Sequence, residues 1–136
     1  MERLAYILDT SIIGDRIKAY DTVSKRLANT ITAGHQVYLC QPVYYEVRRG
    51  LIKVNATCKL QLFQNAIMPL LYWLPLNDSD WLQAAQFWAD ARNAGKQLSD
   101  VDLLVAALAH RINGIVVSSD DDFRALPVRL ENWHSD

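Results

Sequence analysis

Cysteine and histidine are scarce in this chain, and the few present are poorly placed to act together. Cys40 and Cys58 are the only two cysteines, and they lack the short spacing of a thiolate metal site. They are also too few for a disulfide framework. The expectation is free thiols in a reducing compartment, both acting as small buried hydrophobes. His35, His110 and His134 show no ligand spacing, and no His pair or Ser-His-Asp set is evident. Long apolar runs are missing as well. None approaches the roughly 20 residues of a membrane span, so no membrane contact is expected. The apolar stretch within Met1 to Ile13 is interrupted by Asp9 and has no small-residue cleavage site behind it, unlike a secretory signal. A cytoplasmic location follows as an expectation. No repeat or low-complexity tract is visible. Net charge is also low, at −1, which excludes the broad salt-driven coating of DNA that a strongly basic face supports.

That small net charge conceals a division. Setting aside Asp9, Glu46, Asp102, Asp120 and Asp122 leaves 10 acids against 14 Lys and Arg, a remainder of +4. An acidic pocket in a mildly basic body suits a metal ion and a phosphate. The 136 residues, 51% of them hydrophobic, are expected to form one domain spanning 1–136.

Short apolar runs alternate with helical patterns. Leu4 to Leu8 reads as a buried strand ending in Asp9-Thr10-Ser11, and a single helix is expected from about Ile12 to Ala33, closed by Gly34. Val37 to Cys40 reads as a strand. Val43 to Leu51 reads as a helix with Pro42 at its start, and Thr57 to Leu71 as another. Tyr72 to Leu74 is a candidate strand. Ser79 to Ala94 is an amphipathic helix closed by Gly95. Ser99 to Ile112 is an apolar helix closed by Asn113-Gly114. Ile115 to Val117 and Val128 to Leu130 complete the strands. The alternation predicts an α/β fold, a three-layer α/β/α sandwich around a mainly parallel sheet. Ligands of such sheets gather beyond the carboxyl ends of the strands.

Four acidic stations can converge at that edge. Asp9 and Asp120 each follow a strand directly, Asp102 opens the helix before Ile115–Val117, and Glu46 lies near a helix start. Each has a plainer role to set beside a functional one. Asp9 suits a turn or N-cap. Glu46 suits an exposed helix acid paired with Arg48 or Arg49, although its neighbours Val43, Tyr44, Tyr45 and Val47 are apolar. Ser99 and Asp102 fit a capping box, yet Asp102 shares a face with Val105, Ala106 and Ala109. Asp120-Asp121-Asp122 suits a turn and cap, but three adjacent carboxylates repel one another in a way a cation would relieve. Arg49, one turn after Glu46, can meet a substrate phosphate. Trp73, Trp81 and Trp88 read as core or dimer-surface residues.

Four segments together carry a family pattern: Leu8-Asp9-Thr10-Ser11, Glu46-Val47-Arg48-Arg49-Gly50-Leu51, Ser99-Asp100-Val101-Asp102-Leu103-Leu104-Val105-Ala106, and Val117-Ser118-Ser119-Asp120-Asp121-Asp122-Phe123. In this order and spacing, and with the ending Leu130-Glu131-Asn132-Trp133, the chain resembles the PIN-domain nucleases, in their VapC-type toxin branch. The resemblance covers nearly the whole chain. It implies an Mg²⁺- or Mn²⁺-dependent endoribonuclease, the toxin of a type II toxin–antitoxin pair, restrained by a small antitoxin protein. It also implies a homodimer with two acidic pockets along one groove. On this resemblance Asp9, Glu46, Asp102 and Asp120 are the catalytic, metal-holding acids. Asp122 is an auxiliary acid, Thr10 and Ser11 are supporting hydroxyls, and Asp100 is a second choice to Asp102. Ser118 stands where Thr is commoner and keeps the hydroxyl. Oxygen ligands of this kind suit hard divalent ions, and the products implied are a 5′-phosphate and a 3′-hydroxyl.

Other readings compete. A phosphatase-like protein would place a second Asp where Ser11 stands. A receiver-like protein would need a late Lys, and the last Lys is Lys96. A non-catalytic PIN-like scaffold binding RNA or a protein has no reason to keep all four acids. A housekeeping RNA-processing nuclease shares the same site, and the short chain without a tail favours the toxin.

Overall fold

Strands and helices alternate along residues 2–134, which the computed structural model describes. β1 (Ala5–Leu8) leads into α1 (Thr10–Ile17) and α2 (Asp21–Thr32). β2 (Gln36–Cys40) leads into α3 (Gln41–Lys53) and α4 (Thr57–Leu62), then β3 (Tyr72–Leu74). Next come α5 (Asp78–Asn93), α6 (Asp100–Ile112), β4 (Ile115–Val117) and β5 (Arg129–Glu131). The strands form one sheet in the order β3-β2-β1-β4-β5, and every pairing is parallel. Ile7 of β1 sits opposite Tyr38 of β2 on one side and Val116 of β4 on the other. The chain builds outward from β1 through β2 to β3, then returns to place β4 and β5 on β1's other side. The order therefore reverses at the β1–β4 seam, where the crevice of an open parallel sheet lies.

Consecutive residues of β1 and β4 are buried, Tyr6 to Leu8 and Ile115 to Val117. Successive side chains point to opposite faces, so both faces of these strands are covered, as the α/β/α sandwich requires. The core is aliphatic at the strands and closed by Phe63, Phe87, Phe123 and Trp133, all almost fully buried. Asn113 in the left-handed conformation, followed by buried Gly114, ends α6. A Cβ on Gly114 would stand 3.2 Å from the Ile112 side chain, so a larger residue in the turn into β4 would have to push that side chain aside.

Several expectations need correction. The single helix expected from Ile12 to Ala33 is two helices, broken where Ala19 adopts φ 57°. The break allows Ile12, Ile13 and Ile17 of α1, and Val23 and Leu27 of α2, all to reach the core. The helix expected over Thr57 to Leu71 is α-helical only to Leu62. A π-type turn over Phe63–Ile67 then buries Phe63 and Ile67, and a 3₁₀ turn closes at Met68–Leu70. Cys58 is exposed, because α4 buries none of its residues, whereas Cys40 is buried as expected. Of the two places expected for Trp73, Trp81 and Trp88, core or dimer surface, only the core is excluded, each being about half exposed. On α5 the buried face is carried by Asp80, Ala84, Phe87 and Ala91 instead.

Candidate active site

Asp9 is the first residue after β1 at the reversal of strand order, and its N–H donates to the Val117 carbonyl of β4 at 2.9 Å. Its own carbonyl accepts from Ile12 and Ile13 and so opens α1. An Asp at a helix start usually spends its carboxylate on a first-turn N–H. The Asp9 side chain makes no such cap. It is 5% exposed. Oδ2 accepts from the Ser118 hydroxyl at 2.7 Å, and Oδ1 is buried with no hydrogen-bond partner. Burial raises the Asp9 pKa above the ordinary carboxylate value. The Ser118 hydroxyl and the Thr10 main chain oppose that rise, and the nearby Glu46 and Asp120 charges add to it. A buried acceptor left open costs free energy unless something fills it.

Ser118 closes the other side. It follows β4, its N–H donates to the Glu131 carbonyl of β5, and its hydroxyl both donates to Asp9 and accepts from the Asp120 N–H at 3.0 Å. One hydroxyl thus ties the ends of β1 and β4 together. Asp120 caps the following 3₁₀ turn, with Oδ1 accepting from the Asp122 N–H at 2.9 Å. The cap is therefore real, and it leaves Oδ2 uncommitted.

Asp102 stands in the first turn of α6. Ser99 caps that helix, its hydroxyl accepting from the Asp102 N–H at 3.1 Å. The reciprocal bond that would complete a capping box is made not here but on α5, between Asn77 and Asp80. The Asp102 carboxyl is pushed up to about 6, first by burial and then by the charges of Asp9 and Asp120, with Ser99 moderating the shift. Asp9, Asp102 and Asp120 thus share one electrostatic neighbourhood, with Glu46 acting on it through Asp9. Glu46 is 25% exposed and accepts from Arg49 at 3.4 Å through Oε2. The dipole at the start of α6 favours ionised acids there, yet desolvation and like charge prevail at Asp102.

The remaining expected residues divide. The Thr10 hydroxyl is buried and unpartnered beside Asp9, and Ser11 lies 3.4 Å from the Ser119 hydroxyl at the same edge. Asp100 is turned elsewhere. It lines an apolar cavity of about 330 Å³ between α5 and α6, together with Trp81, Trp88 and Leu104. Asp122 faces Lys96 at 3.9 Å, and Asp121 pairs with Arg124. Thr10 and Glu46 also line a groove of about 210 Å³ with an apolar floor of Ile17, Val47 and Leu51. Sequence reasoning missed the Tyr45 ring under Arg49 and Lys96 beside Asp122. Tyr45 carried a signal in its i,i+4 spacing to Arg49.

Among the described residues, no three His, Cys, Asp or Glu side chains stand close enough, as oriented, to hold one metal ion between them. The donor set nonetheless fits a hard divalent cation. It is all oxygen, its acids are held close enough to raise each other's pKa, and Asp9 presents a buried oxygen with nothing bonded to it. Drawing the acids onto one ion needs side-chain movement, which is open to half-buried Asp102 and exposed Asp120.

A parallel α/β sheet with carboxylates gathered at its reversal point defines an acid-edge domain. This chain belongs to the PIN domain family, whose profile matches residues 6–128. Solved structures of similar fold include FitAcB from Neisseria gonorrhoeae, 24% identical with a TM-score of 0.82, covering 96% of this chain and 99% of that one. VapBC2 from Rickettsia felis, bound to a DNA fragment from its promoter, is 22% identical with a TM-score of 0.81 over 96% and 99% of the two chains. DNA-bound VapBC from Salmonella typhimurium is 19% identical with a TM-score of 0.83 over 96% and 98%. Comparison with curated proteins gives no match.

Proposed function

We propose that this protein is a divalent-metal-dependent endoribonuclease and the toxin of a toxin–antitoxin pair. The observation that carries the reading is the Asp9 carboxylate, which is buried at the β1–β4 seam with one oxygen bonded to Ser118 and the other open, near the like charges of Glu46 and Asp120, while Asp9 and Asp120 act in turn on Asp102. PIN domains are nuclease domains, and the structural relatives named above are VapBC and FitAcB structures. Both facts support the reading. No helix of the described residues is long and apolar enough to cross a membrane.

In this reading Asp9, Asp102 and Asp120, with Glu46 beside them, hold Mg²⁺ or Mn²⁺. A bound ion of this kind supplies an activated water and offsets charge on the departing 3′ oxygen. Asp9 acts from a fixed position because Ser118 holds it. Asp102 supplies negative charge only when ionised. Arg49 offers guanidinium N–H groups to a phosphate oxygen at the rim. The water's oxygen would bond to phosphorus as the bond to the 3′ oxygen breaks, the water losing a proton to solvent and the departing 3′ oxygen taking one from it, so that the products would be a 5′-phosphate and a 3′-hydroxyl. The restraining antitoxin would seat an apolar segment in the groove over Ile17, Val47 and Leu51, covering Thr10 and Glu46. A homodimer setting two such pockets along one groove belongs to the same proposal.

The test is Asp9→Asn, a nearly isosteric change that removes the charge. Cleavage of RNA is expected to be lost while the circular dichroism spectrum is kept. A folded Asp9→Asn protein that still cut RNA would remove Asp9 from the chemistry.

A further inference from the structure

The sheet has a second edge. Its strands all run parallel, so their amino ends meet on the side opposite the acids. There Arg3, His35, Gln36 and Tyr72 line a cavity of about 430 Å³, roomier than the groove of about 210 Å³ beside Glu46. Leu4 fixes the arrangement. Its N–H donates to His35 Nδ1 at 3.0 Å, and its carbonyl accepts from the Gln36 N–H at 3.0 Å. Arg3, the next residue outward, is thereby held beside His35.

The polar groups of this cavity are all donors. Because Nδ1 of His35 accepts, its ring proton sits on Nε2, which donates. Gln36 Oε1 accepts from the Tyr38 hydroxyl at 3.0 Å, which leaves the amide NH₂ to donate. Arg3 is a permanent cation with donors alone, and no carboxylate of the described residues pairs with it within 4.0 Å. The facing wall is apolar, formed by buried Val37 and by the exposed Leu70 and Tyr72 side chains. The Tyr72 ring is steadied by Tyr38, their centres 5.7 Å apart. Donors on one wall and an open aromatic ring on the other suit an anion with a flat body.

We infer that this amino-edge cavity binds a phosphate monoester with a planar body, the chemistry of a nucleoside monophosphate. The phosphate would lie against Arg3, His35 and Gln36, and the base on Tyr72. Three donor groups match the three terminal oxygens of a monoester, whereas a carboxylate offers two. The volume falls in the range of roughly 300–1,000 Å³ usual for small-ligand sites. The site lies across the sheet from the acids and does not depend on the nuclease reading. A free nucleotide and the phosphorylated 5′ end of an RNA fragment present the same chemistry to it.

The test is isothermal titration calorimetry of the whole protein in EDTA, with adenosine 5′-monophosphate, adenosine and inorganic phosphate as probes. The expected result is saturable binding of the monophosphate at one site per chain, with adenosine and phosphate each weaker by about tenfold or more. Arg3→Ala should weaken the monophosphate by a similar factor and leave adenosine nearly unchanged. Tyr72→Ala should weaken both, and Tyr72→Phe should restore them. Asp9→Asn should have no effect. A 5′-phosphorylated dinucleotide that binds more tightly than the monophosphate would assign the site to RNA ends, and the reverse order to free nucleotide. No saturable binding at millimolar monophosphate would overturn the inference. So would binding that survives both Arg3→Ala and Tyr72→Ala, or that is lost in Asp9→Asn. Arg3 and Tyr72 are exposed, so an unchanged Tm in each variant separates lost binding from lost fold.

Discussion

At the residue scale the site depends on how one hydroxyl is spent. Ser118 donates to Asp9 and accepts from the Asp120 N–H, so Ser118→Ala removes the one side-chain hydrogen bond that the buried Asp9 carboxylate accepts among the described residues. A stability loss of about 1–3 kcal/mol is expected from leaving that oxygen unsatisfied, seen as a lower Tm. Ser118→Thr should keep both bonds and restore it. The acids also set a pH dependence. Burial pushes the Asp102 carboxyl up to about 6 from the ordinary carboxylate value of 3.8, and Asp9 is shifted in the same direction. Between those values the folded protein binds more protons than the unfolded chain, so stability falls as pH rises. With metal removed by EDTA, the Tm should drop from about pH 4 to about pH 7 through this effect. A cation that prefers the ionised acids should reverse the trend. The acids themselves were legible in the sequence because each follows an apolar strand or shares a face with apolar residues. That Asp102 lies on the packed side of its helix was legible from Val105, Ala106 and Ala109 on the same face, whereas the preference for it over Asp100 rested on the family resemblance alone. The double role of Ser118 was not legible, because it depends on β1 and β4 being neighbours, which no local pattern states.

At the scale of elements, the least expected feature is the break between α1 and α2. Apolar residues recur at helical spacing on both sides of it, and no Gly or Pro marks it, so the sequence reads as one helix. Tertiary packing overrides that pattern and leaves Ala19 at φ 57°, a conformation that costs a residue with a Cβ about 1 kcal/mol. Ala19→Gly relieves the strain but adds freedom to the unfolded chain. The expected outcome is a small net change of Tm in either direction, whereas Ala19→Val should lower it clearly. A second tie joins α5 to the end of α6. Arg111 donates through Nε and Nη2 to both oxygens of Asp80 at 2.9 and 3.0 Å, and Nη2 also donates to the Pro75 carbonyl. Asp80 is buried, so Arg111→Ala strands a charge. It should cost roughly 3–5 kcal/mol in denaturant titration, far more than loss of the exposed Lys25–Asp21 pair.

At the scale of the whole molecule, the sheet explains why residues distant in sequence meet. Strand identity and the parallel, two-faced burial followed from short apolar runs alternating with helices. Strand order did not, because β3 and β5 are three-residue edge strands whose partners are fixed only once the crossovers pack. Placing β4 against β1 brings Ser118 and Asp120 to Asp9, and the α6 start that precedes β4 brings Asp102. With the acids held together by the fold rather than by mutual attraction, millimolar Mg²⁺ or Mn²⁺ should raise Tm near neutral pH, and Asp102→Asn should reduce that rise. The central claim is metal-dependent cutting of RNA, and its most direct measurement is incubation of total cellular RNA with purified protein in Mg²⁺ or Mn²⁺, beside EDTA and Asp102→Asn controls, with the fragment ends sequenced. The expected result is discrete cuts that leave a 5′-phosphate and a 3′-hydroxyl and vanish in both controls. Cuts that persist in EDTA or in Asp102→Asn, or ends carrying a 2′,3′-cyclic phosphate, would contradict it.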